Sequence, residues 1–150
     1  MFESFLGINF LNLYDTDAFL AIQIILTLTI NCAIFKRMTD IRISWTVFLT
    51  LALLDVVIQY NITNMIMVFD VFILMILAFL AKGKTWSVTQ YAFHTLFPVV
   101  TSDLLYRLLG LFFIPLLLNL PVAEVGSNAL FYLLSYGLIL PLYFVFDRFL

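Results

Sequence analysis

Charge is scarce in this chain. Asp, Glu, Lys and Arg make up 11% of its 150 residues, while 65% are hydrophobic; soluble domains carry about 25% charged residues and about 45–50% apolar ones. A soluble globular domain is excluded, and an integral membrane protein is the class that remains. One cysteine, Cys32, excludes an internal disulfide, and one histidine, His94, leaves no zinc site. Catalysis inside a bilayer needs a constellation such as paired glutamates with histidines, or a serine with a basic partner. The chain has only Glu3 and Glu124, far apart, and its single histidine. No enzyme activity, cofactor, metal or nucleic-acid partner is expected. The opening Met1-Phe2-Glu3-Ser4 has no basic stretch, which predicts no cleavable signal peptide and a first hydrophobic helix acting as its own targeting signal.

What is present is a series of apolar runs separated by polar turns. Residues 1–14 mix Phe2, Phe5, Leu6 and Phe10 with Glu3, Asn9 and Asn12, a pattern of a short interfacial helix or a loose terminus. After the capping residues Asp15, Thr16 and Asp17, residues 18–35 form the first span, with Gln23, Thr27, Thr29 and Asn31 its only polar members. The second span, 43–60, is opened by Trp45 and closed by Tyr60, belt positions of amphipathic aromatics. Asp55 lies within it, in the outer half, where it must face protein or a wet cavity. The turn Asn61-Ile62-Thr63-Asn64 is uncharged and matches a glycosylation sequon by chance. The third span, 65–81, carries Asp70 near its outer end, from where it is predicted to reach the headgroups.

Residues 85–118 are too long for one perpendicular span, because a helix over all of them runs about 50 Å against a hydrocarbon core of about 30 Å. Pro98 removes a backbone donor and disfavours helix at Phe97. The expectation is therefore an interfacial or partly buried approach over 85–97, with part of a long tilted helix as the alternative, a change of direction at Pro98, and a fourth span over 97–118 that Pro115 kinks or ends. The fifth span is 128–146, loosened at Gly137 and Pro141. Lys36, Arg37, Arg42, Lys82, Lys84 and Arg148, six of the seven basic residues, then fall on one side. The positive-inside rule makes that side cytoplasmic. The predicted fold is all-α, a polytopic transmembrane helical bundle of five spans with the N-terminus out and the C-terminus in, in a cell membrane. With so few residues after the last span, no cytoplasmic module is expected in this chain.

The fourth span carries both signs of charge. Asp103 and Arg107 are four apart with the acid N-terminal, the better orientation for an ion pair on one helix face. A charge at the centre of a span costs about 2.5–3.5 kcal/mol on insertion scales, so it marks a pathway, a fixed contact, or a self-neutralised pair. Asp55 is the alternative partner for Arg107. His94, beside the helix boundary, reads as a hydrogen-bonded structural residue. The 17 Phe and seven Tyr read as lipid-facing and packing surface.

The stretch Phe93-His94-Thr95-Leu96-Phe97-Pro98-Val99-Val100-Thr101-Ser102-Asp103-Leu104-Leu105-Tyr106-Arg107 resembles the segment F-x-x-L-hydrophobic-P-V-x-S/T-S-D-L-x-x-R of the membrane sensors of peptide-pheromone receptor histidine kinases. These are the streptococcal competence and bacteriocin receptors of the ComD and BlpH type, and more distantly the AgrC type. The order of segments is similar as well, and the remainder agrees in hydropathy alone. The resemblance implies quorum sensing through a two-component system: a secreted, cationic, amphipathic peptide as ligand, and a homodimer formed through a cytoplasmic kinase region. That region is missing here, since no phosphoacceptor histidine followed by an acid and no Gly-rich nucleotide box occurs. The chain then reads as a sensor module or a relative without its kinase. Candidate ligand-binding or switch residues are Asp55, Asp70, Asp103, Arg107 and Glu124, with Asp15 and Asp17 as further external acids, and Pro98, Pro115 and Pro141 as structural kinks. The rival expectation is a self-contained membrane protein, such as a bacteriocin immunity protein or a transporter subunit, whose intramembrane charges line a path or a partner contact.

Overall fold

A computed structural model of the chain describes residues 17–61, 66–121 and 129–149. Among these residues there is no strand. The elements are α1 (Asp17–Thr39), α2 (Trp45–Asn61), α3 (Ile66–Lys82), a 3-10 turn (Gly83–Thr85), α4 (Val88–Leu118) and α5 (Ala129–Phe149). Three of them, α1, α4 and α5, are long and apolar enough to cross a membrane. The shorter α2 and α3 have 17 residues each, or about 25 Å of helix.

The helix ends have local causes. Ser44 caps α2, its Oγ 3.4 Å from the Val47 N–H. Ser87 and Gln90 form a capping box ahead of α4: the Ser87 N–H donates to Gln90 Oε1 at 2.8 Å, and the Gln90 N–H to Ser87 Oγ at 3.3 Å. At the other ends, Asp40 (φ 54°) stops α1 and Asn119 (φ 53°) stops α4 in the left-handed conformation, which short polar side chains tolerate. The Leu120 N–H closes the α4 end on the Pro115 carbonyl at 3.0 Å.

α4 corrects the expectation of a Pro-broken fourth segment. The helix begins at Val88 and runs unbroken past Pro98, so 88–97 is continuous with the fourth apolar segment and the chain does not change direction at Pro98. A helix of 31 residues is about 46 Å long and exceeds the hydrocarbon core unless it tilts or projects. Pro98 is tolerated because proline costs a membrane helix little where neighbouring side chains re-satisfy its backbone. Around it Thr95 Oγ1 donates to the Tyr91 carbonyl at 2.8 Å, and a His94 ring nitrogen lies 2.8 Å from the Gln90 carbonyl. The irregularity comes later, as a π-helical turn over Leu109–Phe113 immediately before Pro115; a turn with one extra residue is the accommodation expected beside a position that lacks its N–H. Pro141 also lies inside its helix, α5 continuing to Phe149.

Packing divides the chain into two compact units, Ile24–Ser102 on the one hand and Met1–Gln23 with Asp103–Leu150 on the other. The first has an apolar core around Leu28, Phe35, Ala52, Leu74, Ala78 and Val99. The turn from α3 to α4 is pinned in this unit by aromatics. Trp86 stacks on His94 with centroids 4.6 Å apart, Lys82 lies over the Trp86 ring at 5.9 Å, and the Tyr91 hydroxyl donates to the Gly83 carbonyl. The second unit is held by rings. Tyr132 lies 5.6 Å from Phe19, 5.3 Å from Tyr106 and 4.6 Å from Tyr136, with Leu109, Ile114 and Ile139 buried as well.

Candidate functional site

Polar residues in an apolar helix fall into two groups according to where their hydrogen bonds go. Thr29, Thr39, Thr50, Thr95 and Ser135 each donate to the carbonyl four residues earlier in their own helix. This satisfies the hydroxyl without any neighbour. Asn31, Asp55, Gln59, Asp70 and Ser102 behave differently: all five are buried in the Ile24–Ser102 unit and their side chains bond to one another.

The five residues sit on four helices. Asn31 of α1 donates through Nδ2 to Asp70 Oδ2 of α3 at 2.6 Å, and accepts through Oδ1 from the Ser102 hydroxyl of α4, also at 2.6 Å. The amide orientation is the one that satisfies both partners, because an ionised carboxylate only accepts and the hydroxyl has a hydrogen to give. On α2, Gln59 Nε2 donates to Asp55 Oδ1 one turn away, at 2.6 Å. The carboxyls of Asp55 and Asp70 lie within side-chain hydrogen-bonding reach of each other. Asp55 is 1% and Asp70 0% exposed, and one oxygen on each, Asp55 Oδ2 and Asp70 Oδ1, meets no donor. The groups acting on Asp55 are Gln59 and Asp70, those acting on Asp70 are Asp55 and Asn31, and none is cationic.

The sequence reading places Asp55 against protein or a wet cavity, and it lies buried in its unit. It sends Asp70 to the headgroups, and this is corrected: the carboxyl turns inward, because Asn31 offers it a donor that lipid cannot. Burial also removes both acids from direct reach of an external peptide. Asp103 and Arg107 form an ion pair within α4, Arg107 Nε to Asp103 Oδ2 at 2.8 Å, with the Arg107 side chain 63% exposed and that of Asp103 23%. Asp55 has Gln59 and Asp70 for partners instead. Glu124 lies outside the described residues, as do Asp15, the amphipathic start over 1–14 and positions 62–64 of the expected outer turn. Pro98 and Pro115 are buried, Pro141 exposed.

Three members of the network, Asn31, Gln59 and Ser102, are not among the residues singled out by sequence. Gln59 had a readable signal, its spacing of four from Asp55, the same i,i+4 relation that marks Asp103 and Arg107. Asn31 and Ser102 bond over 39 and 71 positions of sequence, and no local pattern carries that. Elsewhere in the same unit a cleft of about 210 Å³, lined in part by Cys32, Lys36, Trp45 and Phe48, has Lys36 as its one charge. Among the described residues no group of three or more His, Cys, Asp or Glu is arranged to hold a metal ion. No protein-family model, curated protein or solved structure matches the chain.

Proposed function

We propose that this chain is the membrane sensor module of a peptide receptor. It spans the bilayer five times with the N-terminus outside and the C-terminus inside, binds a secreted cationic peptide, and passes a change in helix packing to a cytoplasmic histidine kinase. The observation that carries this reading is the position of Ser102. The residue lies in the segment that resembles the pheromone receptors, and it is also the α4 end of the buried network that reaches Asp70 through Asn31. A polar joint inside an apolar unit has two discrete states, bonded or parted, and relaying a signal through packed helices requires such an element. External acids at Asp15, Asp17 and Glu124 supply attraction for a cationic ligand, and Arg107, with its exposed side chain, supplies a charged surface for a second subunit. The topology rests on the basic residues: Lys36 and Arg37 in the last turn of α1, Lys82 and Lys84 at the turn after α3, and Arg148 at the end of α5. In this reading the chain itself is not an enzyme.

The test is a fusion of the chain to the kinase region of a peptide receptor, with transcription read out after addition of spent culture medium. A response that Asn31→Ala abolishes, at unchanged membrane level, supports the reading. Absence of any response to spent medium, together with an external reporter signal after Leu150, overturns it.

A self-contained transporter subunit or immunity protein is the second reading, and the facing carboxyls of Asp55 and Asp70 favour it, since paired intramembrane acids are a common feature of ion paths. Proton movement across proteoliposomes containing the purified chain, lost in Asp70→Asn, would replace the sensor by that alternative.

A further inference from the structure

We propose that Asp55 and Asp70 form a proton-binding site, in which a single proton held between the two buried carboxyls ties α2 to α3. The inference goes beyond peptide sensing and holds whether or not a peptide binds.

The geometry poses a problem that one proton solves. Each carboxyl has one oxygen seated by a neutral amide, Asp55 by Gln59 and Asp70 by Asn31, both at 2.6 Å. The remaining oxygens, Asp55 Oδ2 and Asp70 Oδ1, are buried without a donor, and the two groups lie within reach of each other. If both were ionised, two like charges would face each other in a buried place where the neighbouring side chains, Gln59 and Asn31, are neutral. Two carboxylates sharing such a site do not both ionise. A proton taken from bulk water makes one of them neutral. Its O–H then donates to the other, which stays anionic, so the pair carries one negative charge and every oxygen has a partner.

A metal cation would answer the same repulsion but fits less well. It needs a shell of oxygens, whereas Asn31 Oδ1 is already taken by Ser102, and no group of three or more ligating residues is found among the described residues. The groups facing the pair are Gln59 from α2 itself, Asn31 from α1, and the thiol of Cys32, which is near enough to sense both charges. None of these brings a positive charge.

Binding has a consequence for stability. At neutral pH the unfolded chain holds both carboxyls ionised, whereas the folded chain holds one extra proton. The folded state therefore loses that proton's contribution as the pH is raised, and the folding equilibrium constant falls about tenfold per pH unit while the difference of one proton persists.

The experiment uses the whole chain in lipid nanodiscs. Infrared spectra at neutral pH are expected to show the C=O band of a protonated carboxylic acid, shifted in heavy water, and lost in Asp55→Asn and in Asp70→Asn. In either variant the new amide N–H replaces the proton as donor, so helix content is retained and the thermal transition no longer depends on pH above neutrality. The unsubstituted protein carries the test even if a variant fails to fold. Absence of a protonated-acid band at neutral pH overturns the proposal, and so does a band that survives in both variants. A melting temperature that rises with sodium but ignores pH overturns it in favour of a bound metal ion.

Discussion

The Ile24–Ser102 unit and the unit that contains Asp103–Leu150 solve the same problem by different means. In water, helices associate because association hides apolar surface. In a bilayer the lipid is as apolar as the helix, and association rests on van der Waals packing and hydrogen bonds between helices. The first unit uses buried polar side chains, with Asn31 as a two-ended connector between α3 and α4. The second uses the tilted, closely packed rings of Tyr106, Tyr132 and Tyr136, their centroids 4.6–5.3 Å apart, and keeps its ion pair on an exposed face. The contrast teaches that burial alone does not mark a functional residue here, since Ile139 is as buried as Asp70. The polar unit, however, is held by directional hydrogen bonds that weaken steeply once misaligned, while ring pairs accept both offset and edge-to-face arrangements. A ligand that parts helices has a defined state to break in the first unit and none in the second.

The sharpest way to break this comparison is Asn31→Ala. It removes the donor to Asp70, which costs about 1–3 kcal/mol for a buried group left without its partner, and the cross-helix acceptor for Ser102, whose hydroxyl keeps the Val99 carbonyl at 3.0 Å. We expect a loss of about 2 kcal/mol in unfolding from mixed micelles, and no measurable loss would mean that the network is slack. The matching change in the ring-packed unit is Tyr136→Leu, which keeps bulk and deletes an aromatic partner of both Tyr106 and Tyr132. Aromatic pairs contribute about 0.5–1.5 kcal/mol beyond area burial, so its cost in the same assay is about 1 kcal/mol. If it equals or exceeds the cost of Asn31→Ala, the distinction between the two units fails.

The smallest effect is expected when both charges of the ion pair are removed together. Asp103→Asn and Arg107→Gln each leave a lone charge on an exposed face of a membrane helix, at about 2.5–3.5 kcal/mol on insertion scales. The combined change leaves none, so a double-mutant cycle scored by folded yield should show the pair recovering most of either single loss. Additive losses would mean that the contact seen within α4 contributes nothing.

Sequence alone determined the class and most of the segmentation. Apolar runs bounded by charged turns are strong signals, and four of the five predicted spans, 18–35, 43–60, 65–81 and 128–146, lie within a few residues of Asp17–Thr39, Trp45–Asn61, Ile66–Lys82 and Ala129–Phe149. The Asp103–Arg107 pair was legible for the same reason, since one helical turn brings the two side chains together. The fourth segment departs from expectation because proline costs less in a membrane helix than in a water-soluble one, and Ser87-Val88-Thr89-Gln90 is a capping box that marks the true start of that helix.

Only the tertiary structure decided that Asp70 turns inward, that it meets Asp55, and that Asn31 links α3 to α4. These facts depend on the rotation of each helix about its own axis. A helix that is apolar on every side carries no stripe in its sequence to set that rotation. The packing of neighbours sets it, and partners 39 and 71 positions apart become visible only once the helices are side by side.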